Sequence, residues 1–89
     1  MMDIKINYLT GDYMSDNFIN ILTFLSKQDA MRSDLCKALD LARTTIYDNL
    51  NKMYNKGWIG KFYLHGNKPG RPFTMWFITE YGREILSGI

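Results

Sequence analysis

The stretch Ser33–Trp58 reads SDLCKALDLARTTIYDNLNKMYNKGW, and its punctuation decides the fold. Ser33 is a favourable N-cap, and Leu35, Ala38 and Leu39 recur on one side of a short helix from Asp34 to Leu39. Asp40-Leu41-Ala42 breaks that period, so a turn belongs there. From Arg43 the apolar residues Ile46, Leu50 and Met53 return at helical spacing until Gly57, a residue suited to the left-handed backbone just past a helix end. A helix over about 43–56 is expected.

Toward the N-terminus, Ser15 can cap a helix from Asp16 to about Lys27, with Phe18, Ile21, Leu22 and Leu25 inward and Met14 and Ile19 placed for a hydrophobic staple. Ile4-Lys5-Ile6-Asn7-Tyr8 alternates and is a candidate strand. Toward the C-terminus, Trp58 to Leu64 and Phe73 to Ile78 are rich in aromatic and β-branched residues. Between them, His65 to Pro72 holds Gly66, Asn67, Pro69, Gly70 and Pro72, which predicts a β-hairpin with a rigid tip. Thr79 can cap a last short helix over Glu80 to about Ser87 that buries Ile85 and Leu86. The class is α+β: a three-helix core, a β-hairpin and a short C-terminal helix, with residues 1–14 as an N-terminal extension and 15–89 as the domain.

These elements occupy 89 residues, 46% of them hydrophobic, with one Cys, one His and a formal net charge of +2. Cys36 alone excludes an intrachain disulfide, and Cys36 with His65 falls short of a zinc ligand set, so no metal and no cofactor is expected. No stretch approaches the roughly 20 apolar residues that cross a bilayer. The opening MMDIKINYL lacks the basic start of an export signal, which points to the cytoplasm. The charge is unevenly spread. Residues 1–42 carry four bases against six acids, and residues 72–89 carry one against two. Residues 43–71 carry six bases (Arg43, Lys52, Lys56, Lys61, Lys68, Arg71) against Asp48 alone. The positive block coincides with the third helix and the hairpin.

Two helices joined by a tight turn, the second with a polar outer face, form a helix-turn-helix, whose second helix enters a DNA major groove. With Ile46 inward, helical geometry puts Thr44, Asp48, Asn51 and Asn55 opposite, flanked by Thr45, Tyr47 and Lys52. Arg43, Thr44, Tyr47 and Asp48 are expected to reach base edges: Arg suits guanine, a carboxylate accepts from cytosine N4, and Thr meets a thymine methyl. Thr45, Asn51, Lys52 and Lys56 are expected on the DNA backbone. The hairpin adds Lys61, His65, Asn67, Lys68 and Arg71, a stiff cationic segment over 61–72 suited to the backbone or a narrow minor groove.

Over residues 15–87 the chain resembles the winged helix-turn-helix transcriptional regulators of the MarR, ArsR and PadR neighbourhood. The resemblance lies in Asp34-Leu35-Cys36-Lys37-Ala38-Leu39-Asp40-Leu41-Ala42-Arg43-Thr44-Thr45-Ile46-Tyr47, then Lys56-Gly57-Trp58-Ile59, then Gly70-Arg71-Pro72 followed by Trp76 to Arg83. It implies sequence-specific binding of double-stranded DNA, with the third helix in the major groove and the hairpin as the wing. It also implies a short strand near Ala30 to Arg32 paired with the wing. Ala42 stands where the family usually has a capping Ser, Thr or Asp, a loss of about 1 kcal/mol unless Thr44 or Thr45 compensates.

If Thr74, Trp76 and Ile78 face the helices, then Phe73, Met75 and Phe77 face away, joined by Phe62 and Leu64. Such a face is covered either by the N-terminal segment or by a second copy, and a homodimer is the expectation. The alternative function is a winged-helix module that docks proteins through this face without touching DNA. Catalysis is not expected, since neither Cys36 nor His65 has an evident base or orienting partner.

Overall fold

The computed structural model describes residues 6, 7, 10, 11, 13–65, 70 and 72–88. Ser15 accepts the Phe18 N–H at 3.2 Å and starts α1 (Asp16–Lys27), which buries Ile21, Leu22 and Leu25. Met14 is buried and Ile19 packs against the same core, as the staple pattern predicts. After α1 the backbone extends, and Ala30 exchanges two hydrogen bonds with Trp76, at 3.1 and 2.8 Å. The short paired strand that the family resemblance implies is thus a single bridge.

The second helix, α2 (Arg32–Leu39), begins two residues earlier than Ser33 as N-cap allows. The cap position is Met31, whose N–H donates to the Asp34 carboxylate at 3.1 Å. Because Ala30 is pinned to the sheet, Met31 is already extended, and Asp34 three residues on reaches back to satisfy it. The inward side of α2 is centred between Leu35, Leu39 and Cys36. Leu35 is buried and Cys36 and Leu39 pack beside it, whereas Ala38, expected inward, is exposed. The turn falls at Asp40, which takes the left-handed conformation (φ 53°, ψ 47°).

Helix α3 (Arg43–Asn55) buries Ile46, Leu50 and Met53, and Lys56 is its cap and not its last helical residue. Gly57 lies at φ 80°. Its N–H reaches the Tyr54 carbonyl and the Trp58 N–H reaches the Met53 carbonyl, each at 3.0 Å, the paired bonds of a Schellman stop. Strands β1 (Ile59–Leu64) and β2 (Phe73–Ile78) then pair antiparallel from Ile59–Ile78 to Leu64–Phe73. Helix α4 (Glu80–Ser87) is capped by Thr79, whose hydroxyl oxygen accepts the Gly82 N–H at 2.9 Å and stands 2.7 Å from the Gly57 carbonyl oxygen. One side chain therefore fastens the start of α4 to the end of α3.

The core is shared by all elements, with Trp58 buried at its centre in edge-on contact with Phe18, ring centroids 5.6 Å apart. Of the candidate N-terminal strand, Ile6 forms one bridge to Tyr13; Ile4, Lys5 and Tyr8 lie outside the described residues. Asn7 is fully buried and donates to the Ile85 carbonyl of α4 at 2.5 Å. Asn7 is thereby anchored to α4.

Candidate nucleic-acid interface

Asp40 turns the chain so that the start of α2 and the length of α3 lie side by side, and the Ala30–Trp76 bridge holds the hairpin across from both. Between them is a groove of about 420 Å³, lined among others by Arg32, Arg43, Tyr47, Asn51, Lys61 and Trp76. Of the expected site residues, Arg43, Tyr47, Asn51 and Lys61 meet here, and so does Phe73, which was expected only on the outer face of the hairpin. The Arg32 guanidinium stacks over the Tyr47 ring at 5.4 Å, and Lys61 Nζ stands 4.8 Å from the Tyr54 ring centre and 5.5 Å from that of Trp76. The cations are held against aromatic faces.

On the other side of Tyr47, Thr44, Thr45, Asp48, Asn49 and Asn51 form a shallow polar surface along α3. Lys52 and Asp48 are joined at 3.1 Å on this surface. Asn49 donates to the Thr45 carbonyl at 2.7 Å. At the first turn Ala42 offers no side-chain cap, so that end of α3 lacks the stabilisation that Ser or Thr supplies. Lys56 bends back over the Trp58 ring at 5.3 Å and lines neither surface. His65 is exposed at the end of β1, and Asn67, Lys68 and Arg71 lie outside the described residues.

The hairpin has two unlike faces. Lys61 and Trp76 share the helix side, while Phe62 with Met75 and Leu64 with Phe73 occupy the outer one. There the Phe77 ring lies over Gly60, so closely that any Cβ on residue 60 would collide with it, and it approaches Phe62 with centroids 6.0 Å apart. Leu64 and Phe73 are 47% and 56% exposed, which makes the far end of this face the open part. Sequence reasoning missed Arg32. It lies in the acidic half and before the expected start of α2; the signal was Asp34, three residues after Met31, marking an earlier start. Among the described residues no group of three or more His, Cys, Asp or Glu could hold a metal ion, and no helix is long and apolar enough to cross a membrane.

Three helices, a hairpin tied back to the segment before α2, and a closing helix define the winged helix-turn-helix fold. Among solved structures the chain is similar to a PadR family transcription regulator from Clostridium difficile R20291, with TM-score 0.74 and 23% identity over 82% of this chain and 81% of that one. It is also similar to the adhesin competence repressor AdcR of Streptococcus pyogenes, with TM-score 0.72 and 20% identity over 83% of this chain and 53% of that one. A third is Bacillus subtilis PadR in complex with operator DNA, with TM-score 0.72 and 19% identity over 79% of this chain and 44% of that one. The chain thus spans most of the first and about half or less of the other two. No sequence-family model and no curated protein matches it.

Proposed function

We propose that this chain is a sequence-specific transcription regulator that binds double-stranded DNA, with α3 in the major groove and the wing on the adjacent backbone or minor groove, and that it represses by occupying its site. The observation that carries the reading is the groove in which Arg43, Tyr47 and Asn51 face Arg32 and Lys61, continuous with the polar surface of α3. Cations and hydrogen-bonding side chains on separate elements, held at a set spacing, match a strand of phosphates beside readable base edges. In this reading Arg43, Thr44, Tyr47 and Asp48 read bases, Thr45, Asn51 and Lys52 meet the backbone, joined by Lys56 once its ammonium leaves the Trp58 ring, and Lys61, His65, Asn67, Lys68 and Arg71 serve the wing. The structural similarity to a PadR bound to operator DNA supports the same mode here.

The protein works by binding and not by catalysis, in the cytoplasm, without metal or cofactor. Two copies associate on DNA, so the operator is a pseudo-palindrome with half-sites about 10 bp apart or a multiple of it. The test is selection of bound sequences from random duplex DNA, followed by affinity measured against salt. A shared motif and a steep salt slope are expected. Equal binding to all sequences, or none, overturns the reading.

A second reading, a winged-helix module that docks proteins, is favoured by the apolar outer face of the wing. It predicts that Phe77→Asp, on the outer face and away from the groove, abolishes partner capture while Arg43→Ala does not. The DNA reading predicts that Arg43→Ala weakens duplex binding.

A further inference from the structure

Asp48 and Lys52 stand one turn apart on α3, with Lys52 Nζ 3.1 Å from the Asp48 carboxylate. Lys52 is 60% and Asp48 65% exposed, so the pair contributes little to folding. Its placement is the informative part. Asp48 is the lone acid among residues 43–71 and lies opposite the buried Ile46, at the middle of the surface that α3 turns outward. Lys52 lies toward the edge of that surface, where a flanking phosphate would be. An acid at the middle of a DNA-facing helix opposes binding unless a donor meets it, and here Lys52 is that donor in the free protein.

We propose that Asp48 and Lys52 form a partner-exchange gate on DNA specificity, an inference that rests on the DNA-binding reading above. Over guanine O6 and N7 or thymine O4 the Asp48 carboxylate faces only acceptors, and over adenine the N6 donor stands beside the N7 acceptor, so at these bases it keeps Lys52; cytosine alone presents a donor with no acceptor beside it. The helix then offers the DNA one cation fewer. Over a cytosine the N4 amino group donates to Asp48 in place of Lys52, and the ammonium moves to the phosphate at the edge of the groove. Both side chains keep a partner on each side of this exchange, and only the second state adds a phosphate contact. Discrimination therefore comes from penalising the wrong site as well as from rewarding the right one.

The experiment compares the full chain with Asp48→Asn, Lys52→Gln and the double variant, measuring affinity for mixed-sequence duplex against salt and repeating the selection of bound sequences. With the gate in place, Asp48→Asn binds mixed-sequence duplex about two- to fivefold more tightly at low salt, since the exposed ion pair is worth about that factor or less and phosphate repulsion is also relieved. Its salt slope steepens by about 1 as Lys52 joins the phosphate contacts, and the cytosine preference disappears from the selected sites. In the Lys52→Gln background, Asp48→Asn leaves the slope unchanged. An unchanged slope with the cytosine preference intact overturns the gate alone, as does a steepening that persists without Lys52. Absence of duplex binding in all four proteins overturns the DNA reading and the gate with it.

Discussion

The Arg32 guanidinium lies over the Tyr47 ring at 5.4 Å, joining the first turn of α2 to the outward face of α3. Tyr47 is half-exposed, and its ring face in the groove is covered by Arg32.

Arg32→Ala is expected to lower operator affinity about five- to tenfold and to reduce the salt slope by about 1, with folding stability changed by no more than about 1 kcal/mol. Arg32→Lys keeps the charge but not the planar stack, and should recover the slope more fully than the affinity. Fluorescence anisotropy with labelled operator across a salt series checks both.

Ala42 has the extended backbone of an N-cap (φ −64°, ψ 149°) without a side chain that can accept a hydrogen bond. Ala42→Ser should therefore raise stability by about 1 kcal/mol in urea denaturation, the usual gain for such a replacement. A change below about 0.3 kcal/mol would show that the first turn already has its partners elsewhere.

Gly82 is helical, and glycine in a helix usually costs about 0.5–1 kcal/mol relative to alanine. Here the sign reverses, because a Cβ on residue 82 would fall inside the Trp58 carbonyl oxygen and crowd Ile78. Gly82→Ala should destabilise by about 2 kcal/mol or more, read from the urea midpoint. Thr79→Val, which removes both the cap and the tie to Gly57, should cost about 1–2 kcal/mol.

Leu64→Asp with Phe73→Asp places charge on the open end of the wing's outer face. If two copies meet there, sedimentation should show the double variant as a monomer at concentrations where the wild-type chain is a dimer, with the thermal midpoint little changed. Dimerisation that survives both changes assigns the contact to another surface.

Most of the architecture was legible because the apolar period and the caps agree. Ser15, Gly57 and Thr79 mark ends where the hydrogen bonds are found. The two alternating strands placed Trp76 and Ile78 inward, as observed. The start of α2 was misread because its cap is a methionine; the bond that matters comes from Asp34 and is earned by the Ala30–Trp76 bridge, a contact across 46 residues that local patterning does not carry. Ala38 was misplaced because the core lies on the Cys36 flank of Leu35 and Leu39, and the polar neighbours in sequence do not mark which flank is inward. In the candidate site, the wheel around Ile46 found the outward residues of α3. It could not show that Lys56 folds back on Trp58, that Asp48 holds Lys52, or that Arg32 joins Tyr47.

Two backbone hydrogen bonds between Ala30 and Trp76 tie the middle of β2 to the residue just ahead of the helix pair. Splaying β2 away from the helices breaks both bonds, so the arrangement acts as a caliper that resists opening. If the chain binds DNA as proposed, the adjustment falls to the DNA, and sequences that narrow or bend cheaply are favoured even at base pairs that no side chain touches.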